Sequence, residues 1–427
     1  MRPLIRISLT ITLFVFLAAS SFRSTAYAAT PSYEPGQIVI KLAPSSVNDL
    51  LRINQTYGTI TLASLPEHPD IVLLQAPLGT NVERLVQEMM SDVRLIYAEL
   101  NYINESTEDG STDRIYGWGG LDSSTMRSQD SAKTMQLEGS HNLSRGTGTL
   151  VAILDTGVQS NHPVLSNSLE LLGYDFVDND LAPTDEANGL DDDGDGRIDE
   201  LYGHGTHIAG IVHLVAPEAR LLPLRVLNSD GRGNNFRTAS AIIYAAHRGA
   251  DAINLSLGTP NQSFLLRDTV SEAARFGVVV VAAAGNLNTE VPQYPAAEAC
   301  AIAVTSVNPH DKKSSFANYG DWIGVAAPGE NLYSTFPVDG YAWWSGTSMA
   351  TPFVAGQAAL LRGANPQLTL DEAGLLIGGT ADSLDRTNPL YRGWLGEGRI
   401  DLLASLESLV AGTWPTPEHN VFAGCNR

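Results

Sequence analysis

Cysteine is nearly absent from this chain, which has only Cys300 and Cys425 among its 427 residues. Two cysteines so far apart cannot form the disulfide framework on which small secreted domains depend. Cys300 lies in the apolar run ACAIAV, which favours a buried core thiol, and the sequence leaves open whether Cys425 reaches it. Stability must therefore come from a hydrophobic core, for which a hydrophobic content of 43% supplies the material.

Basic residues are scarce as well, since 26 lysines and arginines stand against 47 acidic residues and the net charge is −21. A nucleic-acid partner needs a basic surface to meet its phosphates, and an anionic membrane surface needs the same. We therefore expect neither partner.

Long apolar runs are confined to the N-terminus. The first 29 residues combine the basic MRPLIR, the apolar LTITLFVFLAA and the small-residue site AYA, which together are typical of a secretory signal peptide. A transmembrane anchor needs about 20 apolar residues, and this run ends before Ser20. The sequence thus predicts a secreted protein, extracellular or in the cell envelope, that leaves the membrane once the signal is removed.

The rest of the chain divides into blocks. Residues 30–104 alternate strand-like runs with the amphipathic NVERLVQEMM, which predicts a small α+β unit. Residues 105–114 lie in a stretch without aliphatic or aromatic side chains and are predicted to be an exposed linker that a protease would cut. Residues 115–412 alternate apolar strands with helices, as in a parallel, doubly wound α/β sheet. An irregular tail, 413–427, follows.

Four polar residues of the large block lie where strands end or helices begin. They are Asp155 in AILDTGV, His204 in GHGTHIAG, Asn286 in AAAGN and Ser348 in SGTSMATPFVAG. Each residue also has an ordinary interpretation when it is taken alone. Asp155 could form a turn, and His204 could be half of a metal pair with His207. Asn286 could cap a turn, and Ser348 could belong to a tight loop. A zincin pair, however, needs histidines four apart around a glutamate. Since catalytic groups gather at the carboxyl ends of parallel strands, the four residues can converge on one edge.

These four strings closely resemble the signature motifs of the subtilisin-like serine proteases, in that family's order of Asp, His and Ser. The resemblance covers about residues 115 to 410. Upstream, PGQIVIKL and IYAELNY are similar to the start and end of the inhibitory propeptide that precedes many such enzymes, a small ferredoxin-like unit. The resemblance implies the subtilisin-like α/β fold, polypeptide substrates, and a precursor that is inhibited by its own propeptide. We expect the mature protein to be a monomer.

The resemblance also implies a role for each of the four residues. Ser348 would be the nucleophile, His204 the base that takes its proton, and Asp155 the group that orients and stabilises the charged imidazole. Asn286 would donate a hydrogen bond to the tetrahedral oxyanion, together with the backbone N–H of Ser348. The sequence places Pro352 in the first turn of the Ser348 helix, where its missing N–H costs no hydrogen bond.

The substrate cleft is implied by the same resemblance. The glycine-rich segment Gly231, Arg232 and Gly233 would offer an edge strand to an extended substrate. Two further segments would wall the pocket for the residue before the scissile bond: Ser256, Leu257, Gly258, Ala283, Ala284 and Gly285. Gln293 is a candidate for the floor of that pocket. Because these segments carry no carboxylate, cleavage restricted to basic residues, as in the kexin-like branch, is not implied.

An acidic insertion separates Asp155 from His204. Residues 175–200 contain eleven acidic side chains and one arginine. The string DDDGDGRID matches the first part of an EF-hand loop, although Tyr202 stands where the bidentate glutamate belongs. We expect a structural calcium here, the alternative being a solvated acidic loop, and no organic cofactor. The expected ligands are Asp191, Asp193, Asp195, the carbonyl of Arg197, and Asp199.

Taken together, the sequence predicts a secreted serine endopeptidase that acts through an acyl-enzyme and processes its own precursor. One alternative is a catalytically inactive, calcium-dependent extracellular binding protein, which would usually have lost one of the four groups. A lipase or esterase would need a GxSxG elbow where GTSMA stands, and its acid would follow the serine. A sedolisin would use a glutamate base where the chain has His204.

Overall fold

The computed structural model describes residues 32–108, 117–418, 421–422 and 424–425. The expected signal peptide, residues 1–29, and most of the expected linker lie outside these ranges. Among the helices of the described residues, none combines the length and the apolar character that crossing a membrane requires.

The N-terminal unit has the order β-α-β-β-α-β. Its four antiparallel strands lie in the order β4-β1-β3-β2, the ferredoxin-like arrangement expected for the propeptide. Alternation along β1 places Ile38 and Ile40 in the core under the two helices, while Val39 packs into the core of the larger unit. The elements are β1 Tyr33–Leu42, α1 Leu50–Tyr57, β2 Ile60–Leu65, β3 His68–Gln75, α2 Val82–Met89 and β4 Leu95–Ser106.

The larger unit is built on a parallel seven-stranded sheet, as its continuous apolar runs predict. Its strands lie in the order β14-β13-β12-β10-β6-β8-β7, and every pairing between them is parallel. The strands are β6 Leu150–Asp155, β7 Tyr174–Asp175, β8 Arg220–Arg225, β10 Ala252–Leu255, β12 Val279–Ala283, β13 Ala301–Val307 and β14 Val325–Pro328.

The helices of this unit cover both faces of the sheet. The strongly apolar α6 and α9 pack against each other, and nearly every residue of both is buried. The helices are α3 Ser124–Ser128, α4 Asp130–Thr134, α5 Leu137–His141, α6 His204–Val215, α7 Asn235–His247, α8 Phe264–Arg275, α9 Thr347–Ala364, α10 Leu370–Gly379 and α11 Leu402–Ala411.

Five short strands complete the unit. Three of them form an antiparallel sheet in the order β15-β16-β5, and the other two, β9 and β11, pair with the N-terminal unit. They are β5 Gly117–Gly120, β9 Arg232–Asn234, β11 Leu257–Gly258, β15 Leu332–Phe336 and β16 Gly340–Trp344. Strand β4 lies between β9 and β11 and is antiparallel to both, so its C-terminal end crosses the carboxyl edge of the parallel sheet.

The structure changes two expectations that concern packing. Cys300 is not a core thiol, because it forms a disulfide with Cys425 and so ties the C-terminal tail to the start of β13. Pro352 is not in the first turn of α9 but inside the helix, where it removes the hydrogen bond to the carbonyl of Ser348. The Oγ of Ser256 donates to that carbonyl at 3.0 Å and replaces the missing bond.

Candidate active site

Three of the four motif residues come together at the carboxyl edge of the parallel sheet. Asp155 is the last residue of β6, His204 is the first of α6, and Ser348 is the second of α9. All three side chains are fully buried. The Nδ1 of His204 lies 2.6 Å from the Oδ1 of Asp155, which also accepts from the N–H of Thr156 at 2.8 Å. The carboxylate therefore holds the imidazole ring in one orientation.

The second ring nitrogen of His204 contacts a residue that follows strand β4 of the N-terminal unit. The Nε2 of His204 lies 3.1 Å from the Oε2 of Glu108, and the Oγ of Ser348 donates to the same oxygen at 2.5 Å. The Oγ of Ser348 is also 3.2 Å from the carbonyl oxygen of Ser256. One carboxylate oxygen thus stands between the nucleophile and base implied by the motifs.

The charges of the buried groups follow from this contact. Burial alone lowers the pKa of His204, but Asp155 and then Glu108 outweigh it and raise the pKa to about 10. Burial opposes ionisation of Glu108, yet its contacts with His204 and Ser348 outweigh burial and lower its pKa. At neutral pH the site holds an imidazolium between two carboxylates, so His204 has no free lone pair for a proton from Ser348.

Asn286 lies at the fourth position of the site. Its Oδ1 accepts from the N–H of Thr347 at 2.9 Å, which turns the Nδ2 outward. The Nδ2 then donates to the carbonyl oxygen of Thr107 at 2.7 Å and to the Oε1 of Glu108 at 3.0 Å. Gly346, which has no side chain, leaves room for the Glu108 carboxylate, because a Cβ there would lie 1.7 Å from the Oε1 of Glu108.

The expected cleft residues surround the end of β4. The carbonyl of Gly231 accepts from the N–H of Ser106 at 2.8 Å, and Arg232 and Gly233 pair with β4 in strand β9. Leu257 and Gly258 pair with β4 from the other side.

The second wall of the cleft follows β12, which ends at Ala283. The residues after it, Ala284 and Gly285, lie beside Gln293, whose Cγ is 3.0 Å from the Cβ position of Gly285. Gly285 has a φ of +100°, a backbone angle that residues with a side chain rarely adopt.

Three supporting residues were not anticipated from the sequence. Asn318 is buried and donates to the carbonyl of Ala284 while accepting from the N–H groups of Leu287 and Thr289, so it braces the loop that carries Asn286. Thr347 orients Asn286, as described above. The only sequence signal is its place between Gly346 and Ser348 in SGTS.

The third unanticipated residue, Asp185, belongs to the acidic insertion but faces the start of α6. It accepts from the N–H groups of Gly203 and Thr206 and from the hydroxyl of Thr206. Burial raises its pKa to about 6. A carboxylate at a helix N-terminus is stabilising, and this one fixes the position at which α6 presents His204.

The remainder of the insertion forms the expected acidic loop. Oxygen atoms of Asp191, Asp193 and Asp195 lie within 4.8 Å of one another, close enough for one ion. The Asp199 carboxylate is directed elsewhere, because it accepts from the N–H groups of Asn188 and Gly189 at 2.8 and 2.9 Å. The N–H and the Nε of Arg197 both face Asp195.

Glu200, one residue beyond the expected ligands, belongs to the same acidic environment. Neither of its carboxylate oxygens, both buried, has a hydrogen-bond partner among the described residues. Burial, followed by the charges of Asp230, Asp195 and Asp193, raises its pKa to about 7. The local field thus strongly disfavours further negative charge unless a cation is present.

His207 has no metal-binding role in this arrangement. Its Nε2 lies 3.1 Å from the carbonyl oxygens of both Leu332 and Ala342, and burial lowers its pKa to about 3. His207 is therefore a neutral core residue that ties α6 to β15 and β16.

Comparison with known proteins identifies the family of each unit. The profile of the Subtilase family, Peptidase_S8, matches residues 146–394, and that of the fervidolysin N-terminal prodomain matches residues 23–101. Thermitase of Thermoactinomyces vulgaris is 42% identical over 275 residues, 62% of this chain and 91% of thermitase. The thermophilic serine proteinase of Bacillus sp. strain AK1 is 37% identical over 326 residues, 73% of this chain and 74% of that protein.

A solved structure resembles both units together. The crystal structure of fervidolysin from Fervidobacterium pennivorans, a keratinolytic enzyme related to subtilisin, matches with a TM-score of 0.70 at 25% identity. The match covers 88% of this chain and 61% of fervidolysin. Fold and relatives together define a serine endopeptidase preceded by a prodomain. The chain belongs to the subtilase family.

Proposed function

We propose that this chain is a secreted subtilase precursor that cleaves itself through Ser348, His204 and Asp155. The observation that carries the proposal is the contact of His204 with Asp155 at 2.6 Å, beside a peptide carbonyl held by Asn286 at 2.7 Å. A base, its orienting acid, a serine and an oxyanion donor around one peptide segment are what acyl transfer requires.

The chemistry follows from the positions of these groups. The Oγ of Ser348 attacks the substrate carbonyl carbon while the Nε2 of His204 takes the hydroxyl proton, and Asp155 stabilises the resulting imidazolium. The Nδ2 of Asn286 and the N–H of Ser348 donate to the oxyanion. His204 then protonates the leaving amine, an acyl-enzyme remains on Ser348, and a water activated by His204 hydrolyses it.

The N-terminal unit is proposed to act as an intramolecular inhibitor and folding template. Its Glu99 accepts from the Oγ of Ser263 and from the N–H groups of Phe264 and Leu265, where α8 begins. Asn101 accepts in the same way from the N–H of Phe236 in α7. The propeptide sheet therefore satisfies donors at two helix N-termini that its departure would expose.

Calcium is proposed to bind the acidic loop as a structural ion. Asp191, Asp193 and Asp195 supply grouped oxygens, and Glu200 supplies a buried carboxylate without a partner among the described residues. Oxygen-rich sites of this kind suit calcium. Because Asp199 is directed to backbone amides, its carboxylate would have to turn in order to join the site. The loop leads into His204, so an ion here would steady the base.

The test of the proposal is the fate of the Ser348→Ala precursor. In a host that lacks other extracellular proteases, we expect this variant to remain uncut while the wild type matures. Ser345→Ala is the matched control, because Ser345 lies three residues earlier and its Oγ accepts a hydrogen bond from the N–H of Asn331 at 2.8 Å. Efficient maturation of Ser348→Ala would exclude self-processing. Appearance of the wild type in the culture medium tests secretion.

A further inference from the structure

The end of the propeptide strand occupies the substrate cleft in one definite register. On one side of β4, Asn104 pairs with Gly233 and Glu105 with Arg232. On the other side, Ser106 pairs with Leu257 and Glu105 with Gly258. An extended segment held between two short edge strands is the arrangement expected for a bound substrate. The segment therefore approaches the nucleophile as a substrate would.

The buried side chain of Asn104 fixes this register. Asn104 is fully buried, and its Nδ2 donates to the Oδ1 of Asn235 at 3.2 Å and to the Oγ1 of Thr238 at 2.9 Å. A slip of one residue would turn Asn104 to the opposite face of the strand and leave these groups unpaired. Hydrogen bonding thus selects one alignment of the segment against the site.

In this alignment the residue at the reacting position is Thr107. Its carbonyl oxygen is the one that Asn286 binds at 2.7 Å, and its Oγ1 lies 2.8 Å from the Oγ of Ser348. The next residue, Glu108, lies against His204, on the side where a leaving amine must be protonated. No other backbone carbonyl of the N-terminal unit, within the residues described, has a hydrogen bond from Asn286.

We propose that Thr107–Glu108 is the peptide bond cut in maturation, an inference that rests on the proposed self-processing. The Oγ of Ser348 forms a bond to the carbonyl carbon of Thr107, the C–N bond to Glu108 breaks, and the proton from Ser348 passes through His204 to the Glu108 nitrogen. Water then releases a propeptide with a Thr107 carboxylate. The mature chain begins with the free amine of Glu108, and the Asn104 pocket marks the subsite for the fourth residue before the cut.

The experiment is intact-mass analysis of the first fragments formed by the wild-type precursor. Samples are quenched by acid during the first tenth of the conversion, before secondary trimming. We expect a propeptide that ends at Thr107 and a complementary chain that starts at Glu108. A first cut at any other bond would contradict the proposal while leaving self-processing intact. A wild type that stays as intact as Ser348→Ala would contradict both.

Two proline variants sharpen the test. Glu108→Pro makes the proposed bond a tertiary amide and removes the Glu108 N–H. Because it also removes the carboxylate that contacts the Nε2 of His204, its reference is Glu108→Gln, and we expect a cut at this bond at least tenfold slower than in Glu108→Gln, or a new cut elsewhere. Thr112→Pro, four residues further along, is the control and is expected to mature at the wild-type rate. Thermal unfolding of the Glu108→Pro precursor, alone and with Ser348→Ala, verifies folding. A folded Glu108→Pro precursor that is cut after residue 107 as fast as Glu108→Gln would overturn the assignment.

Discussion

The Oε2 of Glu108 lies 3.1 Å from the Nε2 of His204 and 2.5 Å from the Oγ of Ser348. The imidazole therefore donates to the carboxylate of Glu108 from the same nitrogen that would have to accept the proton of the nucleophile. We therefore expect the precursor to be held inactive by charge as well as by blockage of the cleft. This ion pair must break before the first cut, and its strength should set the rate of maturation.

Glu108→Gln should accelerate self-cleavage. The substitution keeps the shape of the side chain but removes one of the two carboxylates that raise the pKa of His204. Since each pKa unit changes the neutral fraction about tenfold, we expect at least a ~10-fold faster first cut at pH 7. Glu108→Asp, which keeps the charge, is the control. The rate is read from disappearance of the precursor band, and an equal or slower rate for Glu108→Gln would contradict this role.

The pH dependence of maturation follows from the same pKa. His204 has a pKa of about 10 in the precursor, and only its neutral form can act as a base. The first-order rate of the first cut should therefore rise about tenfold per pH unit from pH 7 and level off near pH 10. Once Glu108 has left the site, peptide hydrolysis by the mature enzyme should reach its plateau at lower pH. Stopped time courses with the precursor and a chromogenic peptide measure both profiles, and coincident profiles would argue against the ion pair.

Asn286→Ala should reduce kcat with little change in KM. Its Nδ2 donates to the carbonyl oxygen that becomes the oxyanion, and the expected loss of about 100- to 1000-fold is the size known for this donor in subtilisin. The neighbouring Leu287→Ala, with a side chain exposed at 71%, is the control and should leave kcat unchanged. Steady-state kinetics of the matured wild type and of both variants measure kcat and KM separately. A loss confined to KM would point to ground-state binding instead.

Glu99→Ala should weaken inhibition by the cleaved propeptide. This buried carboxylate accepts three hydrogen bonds at the start of α8, and a bond to a charged group contributes about 1.5–3 kcal/mol. Loss of one such contribution corresponds to roughly tenfold to hundredfold weaker inhibition, measured as activity regained by the processed complex on dilution. Glu88→Ala on the outer face of α2 is the control. Equal inhibition by both variants would show that the helix contact contributes nothing to affinity.

Calcium should raise the unfolding temperature of the mature enzyme. If the free ion is about 100-fold above its Kd, mass action adds about 2.7 kcal/mol to the free energy of unfolding. Asp193→Ala should abolish the calcium-dependent part of the shift, because Asp193 is one of the three grouped carboxylates. Asp180→Asn, an exposed change earlier in the insertion, should retain it. Scanning calorimetry with calcium and with EDTA measures the unfolding temperatures. A wild type whose unfolding temperature does not change with EDTA would show that the acidic loop binds no structural calcium.

Much of the fold follows from local patterns. The continuous apolar runs around Ala152, Val281 and Ile302 predict buried parallel strands, and strand ends then bring Asp155, His204 and Ser348 to one edge because all strands point the same way. The motif residues meet for the same reason: each lies within a few residues of a strand or helix end.

Other features depend on contacts between distant segments and were beyond sequence reasoning. The position of Thr107 depends on pairing of β4 with two strands more than a hundred residues away. Asp185 resembled its acidic neighbours, although its carboxylate caps α6. Cys300 lay in an apolar strand, where burial and disulfide formation have the same local pattern. The position of Pro352 inside α9 could not be predicted, because the hydrogen bond that Ser256 donates to the carbonyl of Ser348 comes from a distant segment.

The proposed protease activity requires Ser348 to be the nucleophile and His204 to activate it. The most direct measurement is labelling of the matured protein with a fluorophosphonate, followed by mass spectrometry of its peptides. We expect one adduct, on Ser348 in SGTSMATPFVAG, formed at least a hundredfold faster in the wild type than in His204→Ala produced by cleavage in trans. A proteolytically active wild type that leaves Ser348 unlabelled would contradict it.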